Sequence, residues 1–240
     1  MADRFYTEQP LSPGEFVLDG AEAHHLAAVR RFEAGDRITL FNGDGFDHPA
    51  EVLSAGKKQV AVVVGDRVEA NREHPFPIRI ASALPKGDRA DFMLEKLVEL
   101  GVAAFVPLVC ERSAVVPREF KREKYRRAVV EASKQCGRNV LMEVRPPVRL
   151  AEFLKEPLGG AKRILHPGVE SSSPPGTVTP PPAEVAVNWL IGPEGGFTES
   201  EVLAALDGGW SPARLGPRIL RIETAAIAAA VCSLANFAPP

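Results

Sequence analysis

The chain has 240 residues, of which 45% are hydrophobic and 25% charged, with a formal net charge of −2 at pH 7. That length allows one large domain or two modest ones, each able to bury a core, and the composition excludes a disordered, collagenous or disulfide-stapled chain. The longest apolar run, Ala225 to Ala235, falls well short of the roughly 20 residues that cross a bilayer, and the polar start carries neither a secretory signal nor a basic transit peptide. A cytoplasmic enzyme or binding protein without a membrane partner is expected.

The first 75 residues read as short strands between turns. Phe16-Val17-Leu18 precedes Asp19-Gly20, Arg37 to Phe41 precedes Asn42-Gly43-Asp44-Gly45, and Gln59 to Val64 follows Gly56-Lys57-Lys58. Asn-Gly and Asp-Gly supply the positive backbone angles that hairpin turns need. Between the first two strands, apolar residues at 23, 26, 29 and 32 suit one short helix over Ala21 to Phe32. A small β-barrel with a helical connection is expected, closed off at His74-Pro75-Phe76-Pro77, where two prolines restrict the chain. The domains are therefore drawn as 1–74 and 75–240.

From Ile78 strands and helices alternate. A strand over Ile78 to Leu84 leads through Pro85-Lys86-Gly87 to a helix from Arg89 to Leu100, with Asp88 as N-cap and Gly101 after its end. Val102 to Val109 is a buried strand and Lys121 to Cys136 a long helix. Val140 to Val144 and Arg163 to His166 read as strands on either side of a short helix at Leu150 to Lys155. Residues 171–182, rich in serine and proline, form a loop. Val185 to Ile191 is a further strand, Thr198 with Glu201 a capping box for the next helix, and Glu223 to Phe237 a terminal alanine-rich helix. This alternation predicts an α/β fold with a mainly parallel sheet covered on both faces.

Charge is uneven along the chain. Residues 1–75 hold 8 Lys/Arg against 13 Asp/Glu, residues 76–145 hold 14 against 9, and residues 146–240 hold 7 against 9. The basic middle is a candidate polyanion contact through Arg118, Lys121, Arg122, Lys124, Arg126 and Arg127, although the same residues would also make an ordinary solvated helix face. Cys110, Cys136 and Cys232 are too widely spaced for a metal clamp, and His24-His25 has poor chelating geometry, so no metal is expected.

Two glycine-rich segments carry the strongest sign of a ligand. Ile191-Gly192-Pro193-Glu194-Gly195-Gly196-Phe197 joins an apolar strand to a capped helix, and Leu215-Gly216-Pro217-Arg218-Ile219-Leu220-Arg221 runs into the terminal helix at Glu223-Thr224-Ala225. In open α/β sheets ligands bind at the carboxyl ends of strands, where glycine lets the backbone approach closely. Neither segment has the dinucleotide or P-loop pattern, and either alone would also serve as a tight structural turn. A third group, Glu131, Gln135 and Arg138, falls at i, i+4 and i+7 and so shares one helix face, or is simply a polar stripe. Arg112 follows a strand end.

Taken together, these segments resemble the RsmE family of ribosomal RNA uridine-N3 methyltransferases, within the knotted SPOUT superfamily. The resemblance rests on Arg4-Phe5, His24-His25-Leu26 with Val29 and Arg31, Lys86-Gly87-Asp88-Arg89, Glu99-Leu100-Gly101-Val102, Pro107 with Arg112-Ser113, Glu131-Ala132 with Gln135 and Arg138, and the two glycine-rich segments. Two positions depart from the family pattern: Arg30 stands in place of leucine, and Ile222 in place of threonine.

The resemblance implies an N-terminal PUA-like β-barrel that binds RNA and a C-terminal SPOUT domain with a trefoil knot, pairing as a homodimer. It implies S-adenosylmethionine as methyl donor, S-adenosylhomocysteine as product, and N3 of a uridine in 16S ribosomal RNA, or the small subunit itself, as target. The donor would lie against Leu165, His166, Pro167, Ile191, Gly192, Pro193, Glu194, Gly195, Gly196, Leu215, Gly216, Ile219, Leu220, Arg221, Thr224 and Ala225. Arg112 and Arg138 would stabilise a uridinate and Glu223 would act as base, while Arg30, Arg31, Arg118, Lys121, Arg122 and Lys124 would contact RNA. The competing readings are another SPOUT enzyme acting on transfer RNA or a ribose 2′-hydroxyl, and a non-catalytic RNA-binding assembly factor.

Overall fold

The computed structural model describes residues 3–56, 58–115, 120–166 and 185–234. The predicted loop at 171–182 lies outside the described residues. The chain divides into two compact units, Met1–Glu73 with Val130–Leu141, and His74–Val129 with Met142–Pro240.

The first unit contains β1 (Arg4–Tyr6), β2 (Gly14–Asp19), α1 (Gly20–His24), β3 (Arg37–Phe41), β4 (Phe46–Ala55), β5 (Gln59–Val64) and β6 (Val68–Glu69). Its strands pair in the order β1-β3-β4-β5-β2, with β6 also on β4. Alternation does the sorting: in β5, Val60, Val62 and Val64 are buried while Gln59 and Val63 face outward. These valines join Phe5, Leu18, Leu26, Ile38, Leu40 and Val52 in one apolar cluster. Each such fully buried side chain contributes about 1.5–3 kcal/mol.

Two elements differ from expectation. The helix predicted over Ala21 to Phe32 is α-helical only to His24 and then widens to a π turn over His25–Val29, with the Arg30 N–H bonded to the His25 carbonyl at 2.9 Å. It stops because Arg31 is left-handed, at φ 57°. The ten-residue β4 went unpredicted because it contains Pro49, whose missing N–H marks a poor strand former. The Pro49 carbonyl still accepts from the Gly65 N–H at 2.8 Å, so only half of the pairing at that residue is lost.

The second unit is built on β7 (Ile78–Ala83), β8 (Ala104–Val109), β9 (Glu143–Val144), β10 (Val148–Arg149), β11 (Ala161–Leu165), β12 (Val187–Ile191) and β13 (Ser211–Ala213). Its helices are α2 (Asp88–Glu99), α4 (Leu150–Phe153), α5 (Glu199–Asp207) and α6 (Ile222–Leu234), while α3 (Arg122–Cys136) belongs to it only as far as Val129 and to the first unit from Val130 on. The strands run parallel in the order β10-β8-β7-β12-β11-β13, with β9 also on β8. All five residues of β12 are buried, as expected for a parallel strand covered on both faces. On one face the Trp189 indole N–H donates to Ser233 Oγ of α6 at 2.8 Å. On the other, Leu190 packs with Phe153, Val202, Ala205 and Trp210 around α4 and α5.

The capping box at α5 forms as predicted, with Thr198 and Glu201 exchanging bonds. Helix α2 does not use Asp88 as its cap: Gly87 takes that place and Asp88 lies inside the first turn. Helix α3 ends at Cys136, and Gly137 at φ 83° turns the chain away. Arg138 therefore lies beyond the helix and shares no face with Glu131 and Gln135, because a left-handed residue breaks the 3.6-residue period between them.

Candidate active site

Register places the carboxyl ends of four strands together. Ser82 of β7 pairs with Ile191 of β12, Ile191 with Leu165 of β11, and Leu165 with Ala213 of β13. Strands β8 and β10 lie on one side of β7, and β12, β11 and β13 on the other. The sheet thus changes direction of growth between β7 and β12, where an open parallel sheet leaves a crevice for a ligand.

The segments that leave this edge are the predicted ones. Ile191 and Pro193 are buried, Gly192 and Gly196 half-buried, and Glu194 and Gly195 exposed. The Gly196 N–H closes a turn on the Pro193 carbonyl at 2.8 Å, with Gly196 at φ 69°. A Cβ on Gly195 would come within 3.2 Å of Arg112 Cβ, a close approach that favours bare backbone there. In the second segment Leu215, Gly216 and Leu220 are half-buried, while Ile219 is 88% exposed and Arg221 is exposed. Beyond it, Thr224 is exposed and Ala225 buried, the Ala225 N–H making the first bond of α6 to the Arg221 carbonyl at 2.8 Å. Leu165 and His166 are half-buried at the end of β11, and Pro167 lies outside the described residues. Burial pushes the His166 imidazole below its ordinary pKa, which favours the neutral ring at pH 7.

Charged groups frame the same edge. Arg112 stands in the loop after β8, and its Nη1 donates to the Gly195 carbonyl at 3.1 Å. That loop is tied down by Glu201, whose Oε1 accepts from the Glu111 N–H at 2.8 Å while its Oε2 caps α5 through the Thr198 N–H at 2.8 Å. One carboxylate thus fixes both the arginine loop and the helix that follows the glycines. Glu223, in the first turn of α6, is buried, with Oε1 3.6 Å from Arg89 Nη1; its Oε2 has no hydrogen-bond partner among the described residues. Arg89 Nη2 also lies 4.0 Å from Glu194 Oε1. In the sequence, Arg89 has no site role beyond its place in the Lys86-Gly87-Asp88-Arg89 turn, and Glu201 has only that of capping α5.

The other predicted residues lie elsewhere. Arg138 belongs to the first unit, where its guanidinium grips Glu73 through Nε to Oε1 at 2.7 Å and Nη2 to Oε2 at 2.6 Å. Arg30 is paired with Asp3, and Arg31 is exposed beside it. Lys121 and Arg122 are exposed at the start of α3, Lys124 bonds Asp91 at 2.8 Å, and Arg118 is outside the described residues. Among the described residues, no group of three or more His, Cys, Asp or Glu side chains is placed to hold a metal ion. No described helix is long and apolar enough to cross a membrane.

Residues 72–233 match a family described as an RNA methyltransferase domain, and residues 18–65 one described as an RNA methyltransferase PUA domain. Ribosomal RNA small subunit methyltransferase E of Bacillus subtilis is 34% identical over 88% of this chain and 86% of its own length. The chain belongs to the ribosomal RNA small subunit methyltransferase E family. A solved family member from Neisseria gonorrhoeae, bound to S-adenosylmethionine, is 32% identical with a TM-score of 0.88 over 98% of each chain. A Legionella pneumophila protein, also solved with S-adenosylmethionine, is 37% identical with a TM-score of 0.86 over 98% of each chain. The coarse expectations therefore hold for this family member: a mixed α/β chain with a PUA-like domain and a methyltransferase domain built on a parallel sheet.

Proposed function

We propose that this chain transfers the methyl group of S-adenosylmethionine to N3 of a uridine in 16S ribosomal RNA, within the small subunit or its precursor, in the cytoplasm. The observation that carries the donor site is the alignment of Leu165, Ile191 and Ala213 at one sheet edge, with two glycine-rich segments leaving beside them. The backbone bared at Gly195 and Gly196, and the unpartnered Glu223 Oε2, fit a polar nucleoside there. When bound, the donor supplies an electrophilic methyl group on a sulfonium. The donor-contacting set is the one implied by resemblance, from Leu165, His166 and Pro167 through residues 191–196 to Leu215, Gly216, Ile219, Leu220, Arg221, Thr224 and Ala225, in a trefoil knot that follows the family pattern.

N3 of uracil is a weak acid, protonated at neutral pH, so the protein must offset negative charge and receive a proton as the bond to the methyl carbon forms. Arg112 is suited to offsetting the charge, since it is exposed and its loop is fixed by Glu201 and Gly195. Glu223 is the proton acceptor, and Arg138, whose guanidinium is held by Glu73, is the second cation that the resemblance implies for this role. RNA would be held by the PUA-like unit, folded as a barrel, through Arg30 and Arg31, and by the basic residues Arg118, Lys121, Arg122 and Lys124.

Two copies would pair through the catalytic unit. Beyond its first turn helix α6 is rich in apolar residues, and Val231 remains 47% exposed, a position suited to contact with a second copy. The deciding experiment is methylation of purified small subunits with labelled donor, followed by nucleoside analysis. N3-methyluridine is the expected product, and Arg112→Ala should lower kcat by about 10²-fold, as loss of one anion-stabilising donor does. A ribose-methylated product, or undiminished kcat in that variant, would overturn the corresponding part of the proposal.

A further inference from the structure

Arg89 occupies the first turn of α2, just after the turn that ends β7, and faces two carboxylates from separate parts of the site. Its Nη2 is 4.0 Å from Glu194 Oε1 in the first glycine-rich segment, and its Nη1 is 3.6 Å from Glu223 Oε1 at the head of α6. Both distances are those of ion pairs rather than hydrogen bonds. The two carboxylates differ in surroundings, since the Glu194 side chain is 39% exposed and that of Glu223 only 9%. Water can serve Glu194, but Glu223 Oε2 is buried and meets no donor among the described residues. A buried carboxylate oxygen without a donor costs free energy, and such an atom at a binding edge is explained by a ligand group that completes it.

We propose that Arg89 is a positioning residue of this site: it draws Glu223 Oε1 toward α2, so that Oε2 is left to accept a hydrogen bond from a bound ligand. The complementary group is an N–H or O–H, which two molecules can offer: a hydroxyl or ammonium of the methyl donor, or N3–H of the uridine. The inference rests on the proposed function and adds to it a residue outside the donor, catalytic and RNA-contacting sets. Arg89 is 39% exposed, so its replacement leaves no buried cavity.

The test compares the wild type with Arg89→Ala, Arg89→Lys, Glu223→Gln and the double variant Arg89→Ala/Glu223→Gln; Arg89→Gln replaces the alanine variant if that one does not fold. Calorimetry with S-adenosylhomocysteine reads binding alone, and kcat and KM on small subunits read turnover. Arg89→Ala and Glu223→Gln should lower the same quantity, each by about tenfold or more, the scale of a lost hydrogen bond to a charged group. The double variant should be no worse than the poorer single variant, and Arg89→Lys should recover a large part of the loss. A fall in affinity for S-adenosylhomocysteine assigns the group to the methyl donor; unchanged affinity with reduced kcat assigns it to uridine. Multiplying losses in the double variant, a lysine variant as poor as alanine, or an Arg89→Ala protein equal to wild type in both assays would overturn the inference. A wild-type protein that does not bind S-adenosylhomocysteine would instead overturn the functional reading beneath it.

Discussion

Replacing Arg138 by alanine separates what that residue does for the fold from what it does for the reaction. Its side chain is 4% exposed and holds Glu73 through two bonds, at 2.7 and 2.6 Å. Removing one partner of a fully buried pair costs about 3–5 kcal/mol, because the other charge is left without compensation. The Glu73 side chain is 23% exposed, so water can take part of the load, and a loss of about 2–3 kcal/mol is the reasonable scale for this pair. With a urea slope near 2 kcal/mol/M, the midpoint of the first unit should fall by roughly 1–1.5 M. The assay matters: both tryptophans, Trp189 and Trp210, belong to the second unit, so their fluorescence is a poor monitor. Far-ultraviolet circular dichroism or hydrogen exchange over residues 37–64 reads the right region. Glu73→Gln should cost comparable stability while leaving the guanidinium in place, so it should keep turnover where Arg138→Ala loses it. A wild-type midpoint for Arg138→Ala would refute the energetics, and equal loss of turnover in both variants would refute the catalytic assignment.

Gly160 stands at φ 94°, and a Cβ there would lie 2.0 Å from the Ala186 carbonyl oxygen. Gly160→Ala should therefore destabilise the second unit by about 3 kcal/mol, seen as an earlier urea transition in tryptophan fluorescence; an unchanged midpoint would contradict that packing. Burial, aided by nearby Glu201 and opposed by Ser113, pushes the Cys110 thiol up to about 12. A raised thiol pKa keeps the unreactive protonated form, so iodoacetamide at pH 8 should leave Cys110 unmodified in the native protein and label it once urea unfolds the chain. Mass analysis of the peptide containing Cys110 checks both halves.

The sequence revealed most where one short pattern has one geometric meaning. Thr198 and Glu201 announced their cap, and Gln59 to Val64 announced a strand. Strands of two or three residues, such as Val148–Arg149 and Ser211–Ala213, stayed hidden, because they exist through pairing with neighbours and not through their own preference. The i, i+4, i+7 spacing of Glu131, Gln135 and Arg138 does not place Arg138 on the face of the other two, because the helix stops before Gly137. The glycine-rich segments were found as chemistry, but their shared edge depends on the register of β7, β12, β11 and β13, which no local window contains. Arg89 was legible only as part of a motif; its two acidic neighbours are more than a hundred residues away in the chain.

That shared edge has no local address. Its strand-end positions run from Ser82 to Ala213, so a partly folded second unit offers no half-strength version of it. Affinity for a ligand at this edge should appear only with completed folding, and the ligand should in turn protect the whole unit against unfolding and proteolysis. At a hundredfold excess over Kd that protection amounts to about 2.7 kcal/mol. The cell's supply of ligand for this edge would then govern how long the protein survives as well as how fast it works.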